Sequence, residues 1–293
     1  MALPLLVASC SNDDFSAVGD EAIEVSFSAQ IPLAMGTRAS APTTVDRVYC
    51  AVFENGNEIK SLREEIEIVD GQDIRFTPRL MKGRTYNVVF WAAKDGSYDV
   101  SDLTSITRNT SIAEENFDAF TATTEITVGA ASKETVVLAR PHAQLNIGIN
   151  PEDWAGVQQF GIAPKTVKIS FNGKSTFNAL EGIATGTDDE VITYELAVPA
   201  DETLVCNGKN YKKLASCYVL ATAEKSTISS LNFSIYDENS NAIRENVEIT
   251  FIPLQKNYKT NVVGGLLTGT VTYTVTFDND GAFNDTTNDK TVD

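Results

Sequence analysis

Strict alternation of apolar and polar side chains at the two ends of this chain sets what it can fold into. Ile23, Val25, Phe27, Ala29 and Ile31 alternate with Glu24, Ser26, Ser28 and Gln30. Successive side chains of an extended chain point to opposite faces, so this run forms a strand with one buried face and one wet face. Wound into a helix, the same residues would spread their apolar groups around the whole cylinder and leave no coherent stripe to bury. Near the other end Val271, Tyr273, Val275 and Phe277 oppose Thr270, Thr272, Thr274 and Thr276, the best-patterned run in the sequence. Its β-branched and aromatic content suits a pleated surface.

Between these ends the same period recurs. Residues 45–53 predict a strand turned by Glu54-Asn55-Gly56-Asn57, and Asn-Gly is a strong hairpin signal. Further strands are expected over 65–69, 73–76, 86–92, 125–128 and 135–138. After Arg140-Pro141 they continue over 143–149, 166–171 (with an Asn172-Gly173 turn), 191–198, 211–223, 231–236, 246–251 and 268–277. Residues 99–120 lack alternation and read as a long excursion with a single helical turn. No stretch carries the sustained 3.6-residue period of crossover helices, so an all-β fold of two tandem β-sandwiches is expected. Residues 22–140 form the first, 141–277 the second, with 1–21 a leader and tether and 278–293 a polar tail.

Composition narrows the function classes. The chain has 293 residues, a net charge of −17 and a sequence pI near 4.5. Nucleic acids and anionic membranes select basic surfaces, so no nucleic-acid partner is expected. Leu3, Pro4, Leu5, Leu6, Val7, Ala8, Ser9 and Cys10 form a short apolar run ending in small residues and a cysteine. That reads as the tail of a bacterial lipoprotein signal, with Cys10 as the lipidated residue and outer-membrane lipid as its partner. The basic region that normally opens such a leader is absent, so a longer leader is expected. The run is far too short to span a bilayer. Besides Cys10, only Cys50, Cys206 and Cys217 remain. Cys206 and Cys217 could bridge a hairpin, but alternation equally places them as small buried apolar residues.

Catalytic constellations are missing. The only histidine, His142, follows Arg140-Pro141 and reads as a packed or hydrogen-bonded linker residue. No Gly-x-Ser-x-Gly elbow accompanies it, and Cys and His spacing offers no zinc site. Asp278-Asn279-Asp280-Gly281 begins like a calcium loop, yet Asp289 rather than Glu stands at the twelfth position. The plainer reading is a polar tail, so no metal, cofactor or catalytic residue is expected. Of the two tryptophans, Trp91 lies in an apolar strand and reads as core. Trp154 lies in Asn150-Pro151-Glu152-Asp153-Trp154-Ala155-Gly156, which reads as a turn that could expose its ring.

Taken in order, the truncated lipobox, the acidic Asp13-Asp14 pair behind it, the alternating first strand, Met35-Gly36-Thr37-Arg38-Ala39 and the tandem sandwiches resemble the Bacteroidales fimbrillin superfamily. Val45-Asp46-Arg47-Val48-Tyr49-Cys50-Ala51-Val52-Phe53, Arg140-Pro141-His142-Ala143-Gln144-Leu145 and Tyr258-Lys259-Thr260-Asn261 are also similar to its members. The resemblance implies two transthyretin-like, Greek-key sandwiches in a surface lipoprotein precursor that assembles with other fimbrial subunits by strand exchange. It implies that an arginine-directed protease cuts between Arg38 and Ala39 and removes the strand carrying Ile23 to Ile31. An ordinary loop arginine remains the alternative there. The strand carrying Val271 to Phe277 would either donate to a neighbour or close its own sandwich, and the residues after Asp278 are too polar to serve as a donor. Asp285-Thr286-Thr287 resembles the O-glycosylation acceptor of exported Bacteroidales proteins, with Thr286 as the acceptor. A surface glycan-binding lipoprotein is the second class of function, with a host ligand or glycan as partner.

Overall fold

The first strand, Ala22–Gln30, does not lie at an edge. It runs parallel to Ser132–Val137 on one flank and antiparallel to both Ile74–Phe76 and Arg79–Met81 on the other. A computed structural model describes residues 21–32, 45–111, 114–278 and 289–291 of the chain. Opposite this sheet stands a five-stranded one built on Arg47–Glu54 and Thr85–Ala93, with Ala119–Thr127 at its edge. Val25, Phe27, Phe76 and Leu80 from the first sheet meet Val48, Cys50, Val88 and Phe90 from the second. This alternating-face packing of two antiparallel-rich layers is the β-sandwich solution.

The second half repeats the arrangement. Its opening strand, His142–Ile149, again runs parallel to a late one, Lys259–Gly265, and antiparallel to Lys209–Leu220. The facing sheet orders Val191–Ala197, Pro164–Asn172, Ser226–Asp237 and Ala242–Leu254. Leu145, Ile147, Val167, Ile169, Phe233 and Ile249 fill the space between, all with no exposed surface. The fold is therefore an all-β sandwich fold, as the alternation predicts.

Local chemistry explains most turns. Asn55 and Gly56 both take positive φ, 51° and 79°, joining Arg47–Glu54 to Asn57–Glu58 as the mirror-image hairpin turn that Asn-Gly favours. The expected turn at Asn172-Gly173 is not a tight one: Asn172 ends the strand Pro164–Asn172, and the chain makes an excursion before the next long strand, Val191–Ala197, which falls where alternation predicts it and pairs beside Pro164–Asn172. Its strands Thr176–Asn178 and Ile183–Thr185 join Ile106–Arg108 and Tyr98–Asp99 in a small sheet of their own. Residues 150–156, read above as a turn, open a helix, Pro151–Gln158. Proline at the first position costs no hydrogen bond there, and Glu152 and Asp153 suit the positive end of the helix.

Between the halves lies a third core. The outer face of Thr85–Ala93 carries Val89 and Trp91, packed with Tyr98, Leu103, Ile106 and Phe117, and with Phe177, Ala179 and Ala184 from the second half. Two excursions, one from each half, thus meet in a shared sheet over a shared apolar cluster.

Candidate functional site

Phe27 stands with no exposed surface at the centre of the first core. Its ring centroid lies 6.2 Å from that of Phe76 and 6.0 Å from that of Phe90, and those two meet edge-on at 6.1 Å. Val25 is also wholly buried and Ala29 is 5% exposed, while Ile23 and Ile31 pack partly buried beside them. Each fully buried apolar side chain of this kind stabilises by about 1.5–3 kcal/mol. The backbone is bound as firmly: Val25 N–H donates to Pro78 O at 3.1 Å, and Gln30 O accepts from Leu138 N–H at 2.8 Å. Without this strand the first half would have an open apolar groove flanked on both sides by unpaired main chain, a costly combination in water.

At the other end, Thr272–Asp278 pairs antiparallel with Lys259–Gly265, from Gly265 opposite Thr272 to Thr260 opposite Phe277. Val271, Tyr273 and Val275 pack against the second core, and Phe277 is buried with its ring 5.3 Å from that of Tyr258. The Tyr273 hydroxyl accepts from Thr250 N–H at 3.1 Å. Gly264 permits the approach: a Cβ there would stand 2.1 Å from Thr272 O and 2.7 Å from Tyr273 Cα. The strand is thus a member of its own half's sheet.

A hairpin, Thr203–Cys206 with the start of Lys209–Leu220, folds across the outside of that sheet. Its turn uses Asn207 and Gly208 at φ of 50° and 69°. Leu204 and Tyr211 crowd Gly148, leaving 3.0 Å to each from a notional Cβ. Beneath it a buried polar row crosses the sheet. Ser216 donates to Asn146 at 2.7 Å, and Asn146 donates to Asn261 at 2.8 Å. Thr276 donates to Asn261 O at 3.4 Å, with its hydroxyl 3.3 Å from Cys206 Sγ. Cys206 therefore faces this outer layer while Cys217 belongs to the second core; neither is in a disulfide.

The junction of the halves is polar as well as apolar. Arg140 holds Asp118 with two bonds, Nε to Oδ1 at 2.6 Å and Nη2 to Oδ2 at 2.8 Å, and its guanidinium lies 4.4 Å above the Phe120 ring. His142 is fully buried, its Nε2 3.2 Å from the Tyr98 hydroxyl. Beside it opens a cleft of about 550 Å³, lined by Arg108, Phe117, Glu190, Tyr194 and Tyr218 among others. Arg108 covers the rings of Phe117, at 3.7 Å, and Tyr194, at 4.9 Å. Both rings are buried, so the cleft offers no open aromatic face there.

The residues singled out from the sequence divide accordingly. Ile23 to Ile31 and Val271 to Phe277 are placed above, on opposite halves, and are not brought together. Cys10, Arg38, Ala39 and Thr286 lie outside the described residues. Trp91 is wholly buried, 5.1 Å from Tyr98 and 5.5 Å from Phe177. Trp154 is half-buried against the second core, with Lys212 Nζ 5.3 Å from its ring. Among the described residues no His, Cys, Asp and Glu cluster suited to a metal occurs, and no helix is long and apolar enough to cross a membrane. The shared core at the junction went unseen in the sequence, because its residues come from short strands whose partners lie far away in the chain. The hairpin over the outer sheet did carry a local signal, Asn207-Gly208, that a reading by alternation alone passes over.

A family of unknown function, DUF6562, matches residues 17–293. No curated protein matches. Among solved structures, a candidate adhesin from Bacteroides thetaiotaomicron is similar with a TM-score of 0.52 at 11% identity, over 89% of this chain and 97% of that one. A proposed polysaccharide-binding protein from the same organism has a TM-score of 0.50 at 14% identity, over 87% and 95%. The fimbrial anchor protein Mfa2 from Porphyromonas gingivalis has a TM-score of 0.44 at 12% identity, over 83% and 90%. At these identities the first two likenesses establish a common fold.

Proposed function

This chain belongs to the DUF6562 family, and we propose that within it the chain serves as a structural or accessory subunit of cell-surface fimbriae. It is exported as a lipoprotein precursor lipidated at Cys10, and it assembles by strand exchange with other fimbrial subunits once its first strand is removed. The observation that carries this reading is the position of Ala22–Gln30: central in its sheet, closing the first core with Phe27, and followed within a few residues by the small-residue stretch around Arg38. A segment that is central in its sheet and followed by a cleavable stretch can be released by a cut there and replaced by an added strand from another chain. The candidate-adhesin neighbour supports the reading, as does the resemblance of the sequence to fimbrillins.

The strand carrying Val271 to Phe277 takes the closing role in this account, with Asp289–Thr291 paired along its far side. Its side chains are spent on the second core, and Gly264 fits its backbone closely. That favours an accessory subunit, which accepts a strand, over a shaft subunit that must also donate one. A glycan-binding role needs an open aromatic platform for a sugar face. Trp91 is buried and Trp154 is half-covered, so neither supplies one fully. The reading is tested in cells by Arg38→Ala: the account expects the variant to accumulate as uncut, lipid-tethered precursor outside fimbriae. Normal processing and normal fibre incorporation would overturn it.

A further inference from the structure

We propose that the junction between the two halves is an acid-sensitive coupling, in which proton uptake by His142 releases the halves from their shared core. The geometry assigns the resting state. The Tyr98 hydroxyl donates to Phe117 O at 2.7 Å, so towards the imidazole it can only accept. His142 therefore carries its proton on Nε2 and donates it to Tyr98 at 3.2 Å. Its Nδ1 is a bare lone pair, wholly buried and without a hydrogen-bond partner among the described residues. A second proton would have to sit there, facing no acceptor.

The ring is enclosed by several elements, and burial together with the cations among them makes that proton harder to hold. Tyr98 stacks on it from the small shared sheet at 6.1 Å, and Tyr218 meets it edge-on from Lys209–Leu220 at 6.0 Å. The charged groups that act on it are all cations: Arg108 from Ile106–Arg108, Arg140 from the connection, and Lys256 from the turn before Lys259–Gly265. The carboxylate of Asp118 is the nearby counter-charge, and both its oxygens are engaged by Arg140. Burial first, and then these three cations, hold the imidazole well below its ordinary range.

A group that cannot take a proton while closed takes it when the junction opens. Acidification therefore favours the open form, by a factor that grows tenfold per pH unit below about 6.5. At about pH 5 the open population rises by about 30-fold, if the two halves retain their own cores. His142 lies at the first residue of the second half's opening strand, and its carbonyl accepts from Asn257 N–H at 2.8 Å. Strain there reaches both the connection and the turn bearing Lys256.

Trp91, at the centre of the shared core, reports the opening. In a Trp154→Phe background its acrylamide quenching is measured from about pH 8 to about pH 5, with His142 and with His142→Gln. Gln can donate to Tyr98 but does not titrate. The expected result is quenching that climbs below about pH 6.5 only in the His142 protein. Equal climbs in both proteins, or none in either, would overturn the proposal. Should His142→Gln fail to fold, the lone imidazole gives a single Cε1–H NMR resonance, which identifies itself because the chain has one histidine. Titration of the closed protein with a midpoint near 6.5 would overturn the proposal; a neutral form that persists below that pH while Trp91 quenching climbs over the same range would uphold it, and one that persists with no climb would overturn it.

Discussion

Truncating Phe27 to alanine tests whether the first strand seals its half. The ring is wholly buried and touches Phe76 and Phe90, so little around it can collapse into the space. Phe→Ala at such a site costs about 3–5 kcal/mol, through lost transfer energy and the cavity left behind. Each 1.4 kcal/mol is a factor of ten, so the first half should open at least about a hundredfold more often. The chain carries reporters for this. Cys50 lies in the first core and Cys217 in the second, and neither has exposed surface. Burial pushes the Cys50 thiol up, so it reacts with a thiol reagent only when its core opens. Phe27→Ala should therefore speed modification of Cys50 about a hundredfold or more, leaving Cys217 near its original rate. Unchanged labelling of Cys50 would refute the reasoning, because the strand would then contribute nothing to closure. Equal acceleration at both thiols would mean that the halves open as one unit.

Three further outcomes follow from particular contacts. Gly264→Ala places a methyl where Thr272 O already stands, so the strand Thr272–Asp278 should shift or detach; we expect a loss near the upper end of the range of about 1–3 kcal/mol usual for overpacking, read as a lower Tm and faster C-terminal proteolysis. Arg140→Ala leaves the Asp118 carboxylate buried without its partner and should cost about 3–5 kcal/mol in urea unfolding, partly restored by adding Asp118→Asn. Because His142 is held below its ordinary range, the unfolded chain takes the proton first; stability should be full above about pH 6.5 and fall by about 2 kcal/mol at about pH 5, a loss absent from His142→Gln when the two curves are subtracted.

How far these features could be read in advance depended on whether their cause was local. Alternation over Ile23 to Ile31 states which face is buried, and those faces are where the structure puts them. Asn55-Gly56 states its own turn, since two positive φ values are needed there and those residues accept them. Asn172-Gly173 looked identical and is not a hairpin turn, because the excursion after it buries Phe177 and Ala179 in the shared core instead. That gain is a property of residues some eighty positions away, such as Trp91 and Tyr98, and no window on the sequence contains both. His142 was legible as a packed residue, but its bare Nδ1 and the cations around it come from four separate elements. The central position of the first strand was likewise hidden, since alternation says that a strand is half-buried and not which strands flank it.

The measurement closest to the central claim is limited digestion of the purified mature chain with an arginine-specific protease, following mass and oligomer size together. The account predicts one early cut after Arg38, loss of the segment bearing Ala22–Gln30, and then concentration-dependent oligomers that survive mild denaturant. A chain that resists the protease, or one that is cut yet stays monomeric with the segment still bound, would contradict it.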